Sequence, residues 1–107
     1  MGSAIICFHD SDNENDKLPV SRLPGSTSEV KTTNASTSVA STTAAAKGCF
    51  VTVTAVGANL WVTAGPTPVA AYPAVDGAAG AGFPIMSGSF QTFSIKKGDK
   101  VACKEFT

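Results

Sequence analysis

The chain has 107 residues, 43% of them hydrophobic and 15% charged, a length that suits one domain with one core. Eight Lys plus Arg balance eight Asp plus Glu, so no global field draws in nucleic acid or an anionic membrane. Charged residues fall below the roughly 25% of ordinary soluble domains. A surface rich in Ala, Gly, Ser and Thr suits a place inside an assembly.

In chain order, Ala4 to Phe8 is apolar but too short, and too poor in flanking basic residues, for a secretion signal. No apolar run approaches the ~20 residues of a membrane-spanning helix. Asp10, Asp12, Glu14 and Asp16 follow, then Leu18-Pro19-Val20-Ser21-Arg22-Leu23-Pro24, whose prolines impose extended geometry. From Ser26 to Ala46 nearly every residue is Ser, Thr or Ala. Such a tract lacks the apolar side chains that offset the entropy of ordering it. Its threonines favour extended backbone once a partner surface is supplied. Residues 1–47 are therefore expected to form a long extended amino-terminal arm, anchored on partners by Ile5, Ile6, Phe8, Leu18, Val20 and Leu23. Deleting residues 1–46 is expected to leave a folded domain.

Residues 48–107 read as the core domain. Cys49–Val56 and Asn59–Ala64 are β-branched and alternating, joined by Gly57-Ala58, the pattern of a two-residue hairpin. That pairing sets Ala55 opposite Leu60, Val53 opposite Val62 and Val51 opposite Ala64. Phe50, Thr52, Thr54, Trp61 and Thr63 then share the other face. Gly65–Gly82 is a Pro-, Gly- and Ala-rich loop with Tyr72 and Val75 as its main apolar anchors, and a loop this long is usually functional or held by a partner. Phe83–Met86 reads as a short strand that Pro84 confines to an edge or a strand start. Ser89–Ile95 and Asp99–Phe106 read as a second hairpin, with Gly98 in the left-handed position of its loop; Phe93 then faces Val101 and Gln91 faces Cys103. No helical period is present. The expected fold is all-β, a small antiparallel β-sandwich or jelly roll.

Reactive constellations are sparse. Cys7, Cys49 and Cys103 contain no CxxC pair, so zinc knuckles and thioredoxin-like motifs are excluded. An odd, widely spaced set fits a reduced cytoplasmic birthplace. Cys7 and His9 share one face of a strand, but no Gly-rich turn or helix start supplies an oxyanion hole. Asp10, Asp12 and Glu14 open like a calcium loop. Asn15 and Ser21 then stand where Gly and Glu are required, which leaves only loose cation binding. Gly77–Gly82 lacks the strand-to-helix context of a phosphate cradle. Trp61 reads as core or as an interface anchor more readily than as a stacking platform. An enzyme, a cofactor and a metal are all unexpected.

The stretch Cys49-Phe-Val-Thr-Val-Thr-Ala55, Leu60-Trp-Val-Thr-Ala-Gly-Pro-Thr-Pro68, Phe83-Pro-Ile-Met-Ser-Gly88 and Phe93-Ser-Ile-Lys-Lys-Gly-Asp-Lys-Val-Ala102 resembles small β proteins of phage structural modules, of the capsid decoration (cement) type. The resemblance implies a non-enzymatic virion protein, made in the host cytoplasm and placed on the capsid surface. It would bind the major capsid protein as a homo-oligomer, a dimer or trimer, without nucleic acid or membrane. Trp61 and Tyr72 join the arm residues as expected partner contacts. Alternatives are a minor tail or head–tail connector component and, less favoured, a carbohydrate-binding module using Trp61, Tyr72 and Phe50.

Overall fold

The computed structural model describes residues 2–9, 27–46, 50–73, 77 and 82–107. Eight strands occur there: β1 (Ser3–His9), β2 (Thr27–Thr32), β3 (Val39–Ala40), β4 (Phe50–Val56), β5 (Asn59–Gly65), β6 (Phe83–Ile85), β7 (Phe90–Ser94) and β8 (Lys100–Phe106). They form two antiparallel four-stranded sheets, ordered β2-β1-β4-β7 and β3-β8-β5-β6. The described residues contain no helix, and hence none long and apolar enough to cross a membrane.

Period-two alternation decides what each strand buries. Ala4, Ile6 and Phe8 of β1 and Val51, Val53 and Ala55 of β4 turn inward from the first sheet; Leu60, Val62, Ile85, Val101 and Cys103 turn inward from the second. With Ala45 and Ile95 they make one apolar cluster fed by both sheets. Each fully buried aliphatic side chain there contributes about 1.5–3 kcal/mol.

Both expected hairpins are corrected. β4 pairs with β1 and β7, not with β5, and β5 pairs with β8 and β6. Gly57-Ala58 carries the chain from one sheet to the other. The inward residues are those the alternation indicates, but they meet across the core instead of lying side by side on one sheet. β7 and β8 likewise belong to different sheets: Phe93 pairs with Val51 and Gln91 with Val53. Gly57 (φ 76°) and Gly98 (φ 88°) do adopt the left-handed geometry their turns need. At Gly98 the turn is held by Ala45, whose N–H donates to the Asp99 carbonyl (2.8 Å) and whose carbonyl accepts from Gly98 N–H (2.8 Å). The short strand containing Pro84 does lie at a sheet edge, beside β5.

The structure does not show a long amino-terminal arm. β1 is an interior strand between β2 and β4, and β3 borders β8 in the second sheet. Strands from both sides of residue 47 share both sheets, β1 pairing with β4 and β3 with β8. The Ser/Thr/Ala tract is ordered mainly by hydrogen bonds. Thr33 is fully buried, and its hydroxyl donates to Glu105 Oε2 (2.7 Å). Ser41 is also buried: its N–H donates to the Val101 carbonyl (2.7 Å), its hydroxyl donates to the Thr43 carbonyl (2.7 Å), and its Oγ accepts from Val101 N–H (3.1 Å). Buried hydroxyls paired in this way do not carry the cost of an unsatisfied polar group. The surface expected to order the tract is supplied by the chain's own strands.

Candidate interaction surfaces

Strand register builds the outer face of the first sheet row by row. Ile5 lies opposite Val30 on β2 and Thr54 on β4, and Thr54 lies opposite Phe90 on β7. Since directly opposed residues point to the same side, Val30, Ile5, Thr54 and Phe90 form a continuous row across all four strands. Val30 is 64% exposed, Ile5 38% and Phe90 67%. The next row is Ser28, Cys7, Thr52 and Thr92; beyond it lie His9, Phe50 and Ser94, and on the other flank Thr32, Ser3 and Val56. None of these outward positions is Asp, Glu, Lys or Arg. Glu29 and Lys31 of β2 alternate to the other side.

Cys7 and His9 do share this outer face. The His9 ring stacks on Phe50 (centroids 4.5 Å apart, 21° between planes), and its Nε2 lies 2.8 Å from Thr52 Oγ1. Thr52 Oγ1 in turn lies 2.8 Å from Thr92 Oγ1. Burial lowers the His9 pKa below its ordinary value, so the ring is neutral at pH 7 and the face carries no formal charge. The imidazole is thus tied into a threonine chain across β1, β4 and β7.

The second sheet's outer face is partly covered. Ala102 of β8 lies on that side opposite Thr63, yet is fully buried. Ala70 is buried too, and its N–H donates to Ser38 Oγ (2.8 Å). Tyr72 meets Trp61 edge to face (5.3 Å, 84°) and stacks on Phe106 (4.8 Å, 10°), while Trp61 also meets Phe106 edge to face (6.2 Å). These contacts seat Tyr72 against β5 and β8. Gly82 adds to the cover: a Cβ there would collide with the Val62 carbonyl oxygen and come within 2.9 Å of Trp61 Nε1. Beside the aromatic trio opens a cleft of about 760 Å³ lined by Tyr72, Phe106, Asn59, Lys104, Glu105 and Ala35, among others. Among the described residues no cluster of His, Cys, Asp or Glu could hold a metal ion.

The expected contact residues separate accordingly. Ile5 is outward and partly exposed. Ile6 and Phe8 are core residues at 0% and 6% exposure, which removes them as surface anchors of an arm. Leu18, Val20 and Leu23 lie outside the described residues, as do the acidic positions 10–16. Trp61 and Tyr72 do come together, but their near-perpendicular rings make no common plane, and Phe50 lies on the other sheet. A three-ring sugar platform of Trp61, Tyr72 and Phe50 is therefore not assembled. Sequence reasoning missed Val30 and Phe90. The alternation in Thr27-Ser-Glu-Val-Lys-Thr32 was the available signal for Val30, masked by the low-complexity tract around it.

No family model, curated protein or solved structure matches the chain.

Proposed function

We propose that this chain is a non-enzymatic structural protein of a phage virion: a small β-sandwich that binds the major capsid protein on the outside of the shell and reinforces it. The observation that supports a protein-binding role is the uncharged outer face of the first sheet, with Val30, Ile5 and Phe90 exposed along one row; the virion setting comes from the resemblance of residues 49–102. Such a face lacks the water-seeking charges of an ordinary solvated sheet, and charge-depleted apolar area marks the centre of protein interfaces. Ile5 is retained from the expected contacts, Val30 and Phe90 are added, and Ile6 and Phe8 support the face from beneath. Reinforcement follows from mass action, because a protein that binds only the assembled shell shifts the equilibrium toward it.

The test is the copy number of the protein in purified particles, relative to the major capsid protein, by quantitative mass spectrometry. A ratio of the same order as the shell protein is expected. A ratio many times lower would transfer the protein to the tail or connector, and absence from particles would end the virion reading.

A further inference from the structure

We propose that the open edge of β2 is a dimerisation edge, where two copies of this chain pair β2 with β2 about a twofold axis at Val30. Their first sheets would thereby join into one continuous sheet. This inference rests on strand register and does not depend on the virion reading.

Each sheet has two edges. β3 has two residues, β6 has three including Pro84, and β7 has five; β2, with six residues and no proline, is the longest. The Thr33 N–H donates to the Gly2 carbonyl (2.9 Å), in line with the β1–β2 register. In an antiparallel pair bonded residues alternate, so Thr27, Glu29 and Lys31 turn their backbone groups to β1. Ser28, Val30 and Thr32 turn theirs to the open edge, where no described strand pairs with them. An antiparallel second copy centred on Val30 sets Val30 against its twin and Ser28 against Thr32 on either side. Each of these pairs exchanges two backbone hydrogen bonds. Isologous pairing of this kind is how a twofold dimer closes.

Charge selects the register. Pairing about Val30 brings Glu29 opposite Lys31 of the second copy, twice, because Ser28-Glu29-Val30-Lys31-Thr32 is its own charge complement when reversed. Sliding the pairing by two residues sets Glu29 against Glu29 in one direction and Lys31 against Lys31 in the other. Charged side chains on an edge strand ordinarily resist pairing; these repel in the neighbouring registers and attract in one. The Glu29 carboxylate is already held along the edge by the N–H groups of Thr42 (2.8 Å) and Thr43 (2.9 Å). On the outer face the exposed Val30 gains its twin as a cross-strand neighbour, a favourable pair type, and the row Phe90–Thr54–Ile5–Val30 continues into the second copy.

The experiment is sedimentation velocity of the full chain over a wide concentration range, with circular dichroism to confirm folding. The wild type is expected to reach twice the 10.8 kDa chain mass. Lys31→Glu leaves the Glu29 contacts intact and places Glu against Glu twice, raising the dimer Kd about tenfold or more. Val30→Pro removes the outward N–H at the axis while leaving the β1 bonds in place, and abolishes the dimer. The exchange Glu29→Lys with Lys31→Glu restores opposite charges and returns the dimer. A monomer at every concentration, a trimer, or a dimer unchanged by both Lys31→Glu and Val30→Pro would overturn the proposal.

Discussion

Cys103 shows how position within a strand sets the chemistry of a side chain. It points inward from β8 opposite Val62, and burial pushes its thiol up to about 12, well above the ordinary range of a free cysteine. The folded protein therefore keeps this proton at a pH where the unfolded chain has lost it. The stability contributed by the protonated thiol is full below pH 9 and lost as pH rises toward 12, at about 1.4 kcal/mol per pH unit. In urea titrations at successive pH values, Cys103→Ala should lack this slope while losing about 1–2 kcal/mol at neutral pH to the smaller side chain. Equal slopes in variant and wild type would mean that the thiol titrates in the folded state. The carboxylates work in the opposite sense. Glu105 is held below its ordinary pKa by the Thr33 hydroxyl and then by the Gly2 N–H. Burial pushes Glu29 up, but the bonds from Thr42 and Thr43 outweigh it and leave the group lowered. Both contribute stability at neutral pH that is lost as pH falls below 4.5.

β1 is the strand whose removal best distinguishes the observed architecture from a core domain with an arm. It is hydrogen-bonded on both sides and brings Ala4, Ile6 and Phe8 to the core. Losing Ile6 and Phe8 alone forfeits about 3–6 kcal/mol of apolar burial, comparable with the whole net stability of a small domain. A chain of residues 47–107 should therefore show neither β-sheet circular dichroism nor dispersed amide NMR signals; a folded truncated chain would mean that β1 and β2 are dispensable. Faces were legible in the sequence and partners were not. The alternation of Val51, Val53 and Ala55 with Thr52 and Thr54 indicated which side is buried, and Pro84 restricted its strand to an edge or a strand start, of which the structure shows the edge. Yet period two is the same whether the next strand pairs alongside or stacks opposite, so Gly57-Ala58 and Lys96-Lys97-Gly98 were equally compatible with hairpins and with crossings between sheets. β2 and β3 escaped notice for another reason. Thr33 and Ser41 are secured through partners far along the chain, at Glu105 and Val101, and nothing local announces such bonds. Of the contact surface, only Ile5 was named in advance, as one of the large apolar side chains near the amino terminus and alongside Ile6 and Phe8, which are core residues.

At the scale of the molecule the two sheets are dressed unequally. Tyr72 of the loop packs on Trp61 and Phe106 of the second sheet, whereas the first sheet presents an uncharged outer face with Phe90 and Val30 among the most exposed apolar side chains described. This asymmetry yields a paired prediction. Phe90→Lys and Val69→Lys both replace an apolar side chain that is more than two-thirds accessible, or nearly so, at 67% and 69%. Each should therefore change stability by no more than about 0.5 kcal/mol in urea denaturation. Their effects on partner binding should diverge. A lysine at position 90 puts a charge, which must shed its water on contact, into the row with Thr54, Ile5 and Val30; one at position 69 adds a charge to the loop over the other sheet. In co-sedimentation with particles that lack the protein, Phe90→Lys should weaken binding by about tenfold or more, as expected for a desolvated, unpaired interface charge, while Val69→Lys should bind as wild type. The reverse outcome would move the contact to the loop-covered sheet, and with it the significance of Trp61, Tyr72 and the cleft beside Phe106.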